Sequence, residues 1–145
     1  MNRVLLASLC LVILASVLRS TLAGMSMDQI RQAMKMMRNS CQNKAKASPE
    51  LVDGIQQGQF PDDRNLKCYI KCAMGMMQSM KGGKLKPEAA IQQAKMMLPD
   101  EVKGRVIAAL ETCRNAADGI TDACDVAMAG AKCIYDTDPE AFIFP

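Results

Sequence analysis

The chain has 145 residues, half of them hydrophobic, with a net charge of +3 and neither histidine nor tryptophan. That length suits one domain with a modest core, and the scattered Lys and Arg provide no basic face of the kind a nucleic-acid binder needs. Without histidine there is no Ser–His or Cys–His pair for nucleophilic catalysis, so no enzyme is expected.

The first 23 residues read as a cleaved secretory signal. A short positive start, Met1 to Arg3, is followed by the apolar run from Val4 to Leu18 and then by Thr21-Leu22-Ala23. The run is short for a bilayer crossing, Arg19 interrupts it, and the small residues suit a signal peptidase. The mature chain is then expected to begin at Gly24, with 16 basic and 15 acidic residues and a net charge of +1. No later segment is apolar for long enough to span a membrane, so no stable insertion is expected.

The remaining chain reads as six helices. Ser26-Met27-Asp28-Gln29 is a capping box, after which Ile30, Ala33, Met34, Met37 and Cys41 recur at helical spacing. Ser48-Pro49-Glu50 opens a short second helix that Gly54 and Gly58 weaken. GQFPDD, residues 58–63, is a loop. The third helix is predicted from about Asp63 to Met80, ending at the Lys81-Gly82-Gly83 turn. Pro87 starts a fourth, stopped by Pro99. The fifth is predicted from Asp100 to about Ala117 and carries Val102, Val106, Ala109, Leu110 and Cys113. The sixth is predicted from about Thr121 to Tyr135. No β-alternation is seen. The last stretch, DTDPEAFIFP, breaks at Pro139, yet Phe142, Ile143 and Phe144 are too apolar to lie in water. The predicted class is therefore all-α, a compact six-helix domain with a C-terminal tail that folds back.

Six cysteines remain after the leader: Cys41, Cys68, Cys72, Cys113, Cys124 and Cys133. An even number in a secreted chain implies three disulfides. Cys124 and Cys133 lie about 13 Å apart along one helix, too far for the Cα separation of about 7 Å that a disulfide tolerates. Cys68 and Cys72 are near in distance, but their parallel Cβ directions make a bridge strained. Ten of the fifteen pairings avoid both, and all ten tie the third helix to two separate partners. Zinc sites use CxxC knuckles or histidines and redox sites the C-x-x-C spacing. Neither pattern occurs here, so no metal or other cofactor is expected.

The spacing C-x26-C-x3-C-x40-C-x10-C-x8-C resembles that of the insect odorant-binding protein family, of the six-cysteine pheromone- and general-odorant-binding type. The likeness runs through FPDDRNLKCYIKC, LPDEVKGRVIAALETC and KCIYDTDPEAFIFP and covers the whole mature chain. The resemblance implies the pairing Cys41–Cys72, Cys68–Cys124 and Cys113–Cys133. It also implies an extracellular carrier that encloses a small hydrophobic molecule, such as an aliphatic alcohol, aldehyde or ester, in an internal cavity. Such a carrier, a monomer or weak homodimer, would deliver its ligand to an olfactory receptor, in sensillum lymph if it is olfactory. Two other readings share some of these features. A saposin-like, membrane-active protein has C-x2-C pairs near both ends, which residues 24 to 40 lack; the same fold could also carry a hydrophobic metabolite outside olfaction.

Thirteen methionines supply flexible, polarisable side chains suited to a deformable site. Met34 and Met37, then Met74, Met77 and Met80, then Met96 and Met97, and Met128 fall on or beside apolar helix faces. Taken singly, each serves as readily as ordinary core. Ser79, Tyr69 and Tyr135 are the candidate polar contacts, although a helical serine commonly bonds a backbone carbonyl instead. Phe142 and Phe144 are expected in the cavity wall. Several family members with tails of this length secure them through the terminal carboxylate; the matching positions are Arg38 and Tyr69, which would hold Pro145. Acid would then loosen the tail and release ligand. With neither a spare C-terminal helix nor a histidine, the helix-insertion switch of long-tailed moth proteins is excluded.

Overall fold

The computed structural model describes residues 24–145 together with Ser8, Cys10 and Ile13. The predicted leader thus lies almost wholly outside the described residues. Among these residues no helix is long and apolar enough to cross a membrane.

Helix α1, Met27–Ala45, starts at the capping box: Gln29 N–H donates to Ser26 Oγ and Ser26 N–H donates to Gln29 Oε1 at 2.9 Å. Ser48 caps α2, Pro49–Gly54, which tightens into a 3-10 turn over Ile55–Gln57. Gly58 ends that turn at a φ of +74°, and a Cβ there would lie 2.5 Å from the Tyr135 ring. Both backbone conformation and space therefore require glycine. Helix α3, Arg64–Met76, is capped by Asp63, which accepts from Leu66 N–H at 2.8 Å.

The third helix stops four residues before the predicted Met80. Gln78 turns the chain at a φ of +56°, and β1, Met80–Lys81, pairs antiparallel with β2, Lys84–Leu85. Gly82 and Gly83 join them at φ values of +60° and +75°, the conformation a two-residue hairpin needs. Two-residue strands are too short to leave an alternating pattern, which is why the sequence shows none.

Helix α4 spans Pro87–Met97 and α5 spans Asp100–Thr112. The latter is shorter than the predicted extent to Ala117. Residues 112–115, Thr-Cys-Arg-Asn, are mostly weak helix formers, and the chain continues in tight turns to Gly119, at a φ of +80°. Helix α6, Ala123–Thr137, is capped by Asp122, whose carboxylate accepts from Cys124 and Asp125 N–H at 2.8 and 3.0 Å. A 3-10 turn, Pro139–Ala141, then sends residues 142–145 back across the domain.

Helix α3 is the hub. Leu66, Tyr69, Ile70 and Ala73 are fully buried against Val126, Ala127 and Ala131 of α6, with Cys41 of α1 in the same cluster. Disulfides reinforce these contacts: Cys41–Cys72 joins α1 to α3, Cys68–Cys124 joins α3 to α6, and Cys113–Cys133 joins the end of α5 to α6. The two sulfurs one turn apart on α3 are thus bolts to separate helices, in the pairing the resemblance implied.

Charges reinforce the same junction. Arg64 pairs with Asp122 at 2.7 Å, and Lys67 pairs with Asp125 at 2.8 Å and with Asp62. The Arg64 guanidinium, then the backbone donors at the start of α6, hold the Asp122 carboxyl far below the usual carboxylate range. A depressed folded-state pKa contributes stability above the unfolded value and loses it only as pH falls through the depressed one. Mild acid therefore leaves the Arg64–Asp122 pair charged.

Candidate ligand-binding site

A cavity of about 340 Å³ lies between α1, α3, α4, α5, α6 and the C-terminal tail. Its volume falls at the small end of the range for small-molecule sites, about 300–1,000 Å³. Local helix geometry explains which residues reach it. On α4, Pro87, Ala90, Ala94 and Met97 recur at intervals of three and four, so all face one side. Val106 and Leu110 do the same on α5, and Met34 and Met37 on α1. On α6 the facing residues are Gly130, Ala131 and Ile134; the first two are small and leave room. A Cβ at Gly130 would stand 3.0 Å from Leu85 and 3.5 Å from Met74.

Seven methionines line the space: Met25, Met34, Met37, Met74, Met76, Met77 and Met97. Their unbranched thioether chains make the wall adaptable. Most of the aromatic residues stand behind this wall. All five of the chain's Phe and Tyr side chains form one connected cluster around the tail. Phe142 stacks on Phe144 at 5.2 Å, Phe60 and Tyr135 meet Phe142 edge-on at 6.0 and 5.5 Å, and Tyr69 meets Phe144 at 6.5 Å. Such edge-to-face pairs add to simple burial. Only Phe142 and Phe144 of this cluster also touch the cavity, so the tail is an aromatic-backed wall.

The tail is held by polar contacts as well. Tyr69 O–H donates to an oxygen of the Pro145 terminal carboxylate at 2.5 Å, and Gln56 Nε2 donates to the Phe144 carbonyl at 2.8 Å. Arg105 pairs with Asp138 at 2.7 Å and with Glu140, fixing the turn from which the tail departs. Arg38 forms its ion pair with Asp53, at 2.7 Å, rather than with the terminal carboxylate. Its positive field still reaches the Tyr69 phenol.

Burial pushes the Tyr69 hydroxyl up to about 12; Arg38 opposes the shift and Asp53 adds to it. A group whose folded pKa is raised gives stability that is complete below the unfolded value of 10.0 and is lost as pH rises through about 12. Tyr69→Phe is accordingly expected to cost about 1 kcal/mol at neutral pH and to flatten the alkaline loss of stability. Thermal unfolding of both proteins across neutral and alkaline pH checks this; parallel curves would remove Tyr69 as the tail's donor.

The predicted site residues divide. Met34, Met37, Met74, Met77, Ser79, Phe142 and Phe144 face the cavity. Met96, 68% exposed, points into solvent, because the next residue in the helix, Met97, takes the inward position. Met128 is buried in the core cluster between α3 and α6 and lies outside the cavity lining, as does Tyr69. Ser79 lies beyond the end of α3 and not on its face, and its hydroxyl donates to the Met74 carbonyl at 3.1 Å. Sequence reasoning missed Met25, Leu85 and Gln93. The α4 stripe offered a signal for Gln93, adjacent to Ala94; the other two sit outside helices, where periodicity says nothing.

Among the described residues, no group of three or more His, Cys, Asp or Glu side chains is placed to hold a metal ion. A disulfide-bolted helical shell around an apolar cavity walled in part by the tail defines a carrier of small hydrophobic molecules. Comparison makes the assignment specific: the PBP/GOBP family matches residues 23–137, and the chain belongs to this family of six-cysteine insect odorant-binding proteins. General odorant-binding protein 72 of Anopheles gambiae is 36% identical over 122 residues, covering 84% of this chain and 100% of that protein. General odorant-binding protein 19a of Drosophila melanogaster is 35% identical over 126 residues, 85% of this chain and 86% of that one. Among solved structures, odorant binding protein 4 of the predator Chrysopa pallens superposes with a TM-score of 0.77 at 31% identity, covering 83% of this chain and 99% of that one. Apis mellifera odorant binding protein 5 gives 0.73 at 34%, covering 84% and 99%. Members of this family are carriers and not enzymes.

Proposed function

We propose that this chain is secreted after removal of residues 1–23 and carries an odorant or pheromone, an aliphatic alcohol, aldehyde or ester, to an olfactory receptor. The observation that supports this most is the methionine-lined cavity walled by the chain's own tail. The names of its relatives support the olfactory setting. Met34, Met37, Met74 and Met77 grip the aliphatic part of the ligand, while Phe142 and Phe144 close over it.

Release follows loosening of the tail in acid. The Tyr69 hydroxyl stays protonated throughout the acidic range, so acid acts on its partner, the Pro145 terminal carboxylate. Arg38 acts through its field on the Tyr69–Pro145 contact, and Arg38→Ala reduces the pH dependence of release.

Competition fluorescence tests the reading. A hydrophobic naphthylamine probe is bound to the oxidised domain and displaced by straight-chain alcohols, aldehydes and esters at neutral and mildly acidic pH. Saturable binding of one probe per chain, weakened in acid, is expected. Uptake only in the presence of lipid vesicles would overturn the enclosed-site reading, and an unchanged pH profile in Arg38→Ala would remove the latch.

A further inference from the structure

Among the described residues, the cavity wall contains two polar side chains, Ser79 and Gln93. Their hydrogen bonds are unequal. Ser79 has committed its single proton to the Met74 carbonyl at 3.1 Å, a full-strength acceptor, and so offers a ligand only lone pairs. Gln93, half-buried on α4, donates from Nε2 to the thioether sulfur of Met97 at 3.0 Å, one turn further along the same helix. A thioether is among the weakest acceptors a protein has. The Tyr69 hydroxyl is occupied by Pro145, and Tyr69 lies outside the cavity lining.

We infer that Gln93 is the specificity-determining residue of the cavity, and that it selects aliphatic ligands bearing an accepting oxygen, such as ketones, aldehydes and esters, over hydrocarbons. The inference rests on the carrier reading and deepens it. On binding, the Gln93 amide exchanges the Met97 sulfur for the ligand oxygen. The displaced thioether loses little, because it is polarisable and packs equally well against the ligand's methylenes. The exchange replaces a poor hydrogen bond by a good one in a mostly apolar space. Hydrocarbons leave the Gln93–Met97 contact in place and gain only burial. An alcohol oxygen accepts from the same Gln93 amide, and its own proton finds lone pairs at Ser79 Oγ.

The test uses the mature, oxidised protein and two ligands of equal chain length, a methyl ketone and the corresponding alkene, each displacing the fluorescent probe. Gln93→Met keeps the side chain's length and removes its amide. It is expected to weaken ketone binding about five- to tenfold, the net worth of one hydrogen bond, while alkene binding is retained or strengthened by the added apolar wall. Retained alkene binding also shows that the variant folds. Met97→Leu removes the competing sulfur and is expected to strengthen ketone binding severalfold, an effect that disappears when Gln93→Met is also present. If Gln93→Met lowers ketone and alkene affinity alike, or neither, the role of Gln93 is overturned while the carrier reading stands. If neither ligand displaces the probe from the unaltered protein, the carrier reading falls and takes this inference with it.

Discussion

Deleting Phe142–Pro145 is expected to lower affinity for an aliphatic ligand at least tenfold while leaving the helices and disulfides in place. Phe142 and Phe144 form part of the cavity wall, and the deletion also removes the contacts from Tyr69 and Gln56. The ligand would then face water across the side the tail now covers, and burial of apolar surface, worth about 25 cal/mol per Å², is what binds it. Stability falls too. Phe142 is 7% exposed and touches Phe60 and Tyr135, and removing a buried Phe typically costs about 3–5 kcal/mol. The two effects separate experimentally. Probe titration well below the unfolding midpoint reads the wall, and circular dichroism on heating reads the core. A truncated protein that binds as tightly as the intact one would show that the tail covers the cavity without contributing to it.

Replacing Cys68 and Cys124 together by serine is the most damaging change expected in the shell. That bridge spans 56 residues of sequence, and a loop of this length is worth about 4 kcal/mol in the chain-entropy account. A loss of that size corresponds to a midpoint lower by roughly 15–20 °C for a domain of this size. The same double replacement at Cys113 and Cys133, which span 20 residues, is expected to cost about 3 kcal/mol. Differential scanning calorimetry of the two variants checks the order. The larger penalty at Cys68–Cys124 has a second source: this bridge joins α3 to α6, the helices that make the core, beside the Arg64–Asp122 and Lys67–Asp125 pairs. If the Cys113–Cys133 variant proves the less stable, loop length is not what governs these bridges.

A core of this kind also explains why the shell needs covalent support. The methionine-lined space on one side of α3 contributes no packing when empty, and unfilled volume forfeits dispersion contacts. Three bridges offset that loss by restricting the unfolded chain.

Features that depend on neighbours along the chain were legible in the residues alone. Helix starts could be read at Ser26, Ser48, Asp63 and Pro87, because a cap or an N-terminal proline acts on backbone donors within one turn. The apolar stripes of α1 and α5 were legible because helical periodicity is local. The family resemblance then supplied the cysteine pairing, which spacing alone leaves among ten schemes. Other features depend on how the helices are placed against one another. Met96 and Met97 are adjacent and chemically identical, yet only Met97 faces the cavity; the position of α4 against its neighbours chooses between them. Met74 and Met128 are both buried, but one borders empty space and the other a filled core. The end of α3 was set by the Gly82-Gly83 hairpin drawing the chain away, and Arg38 was taken by Asp53, a residue from a different helix. A cavity is defined by what stands opposite each side chain, and periodicity along one helix carries no information about that.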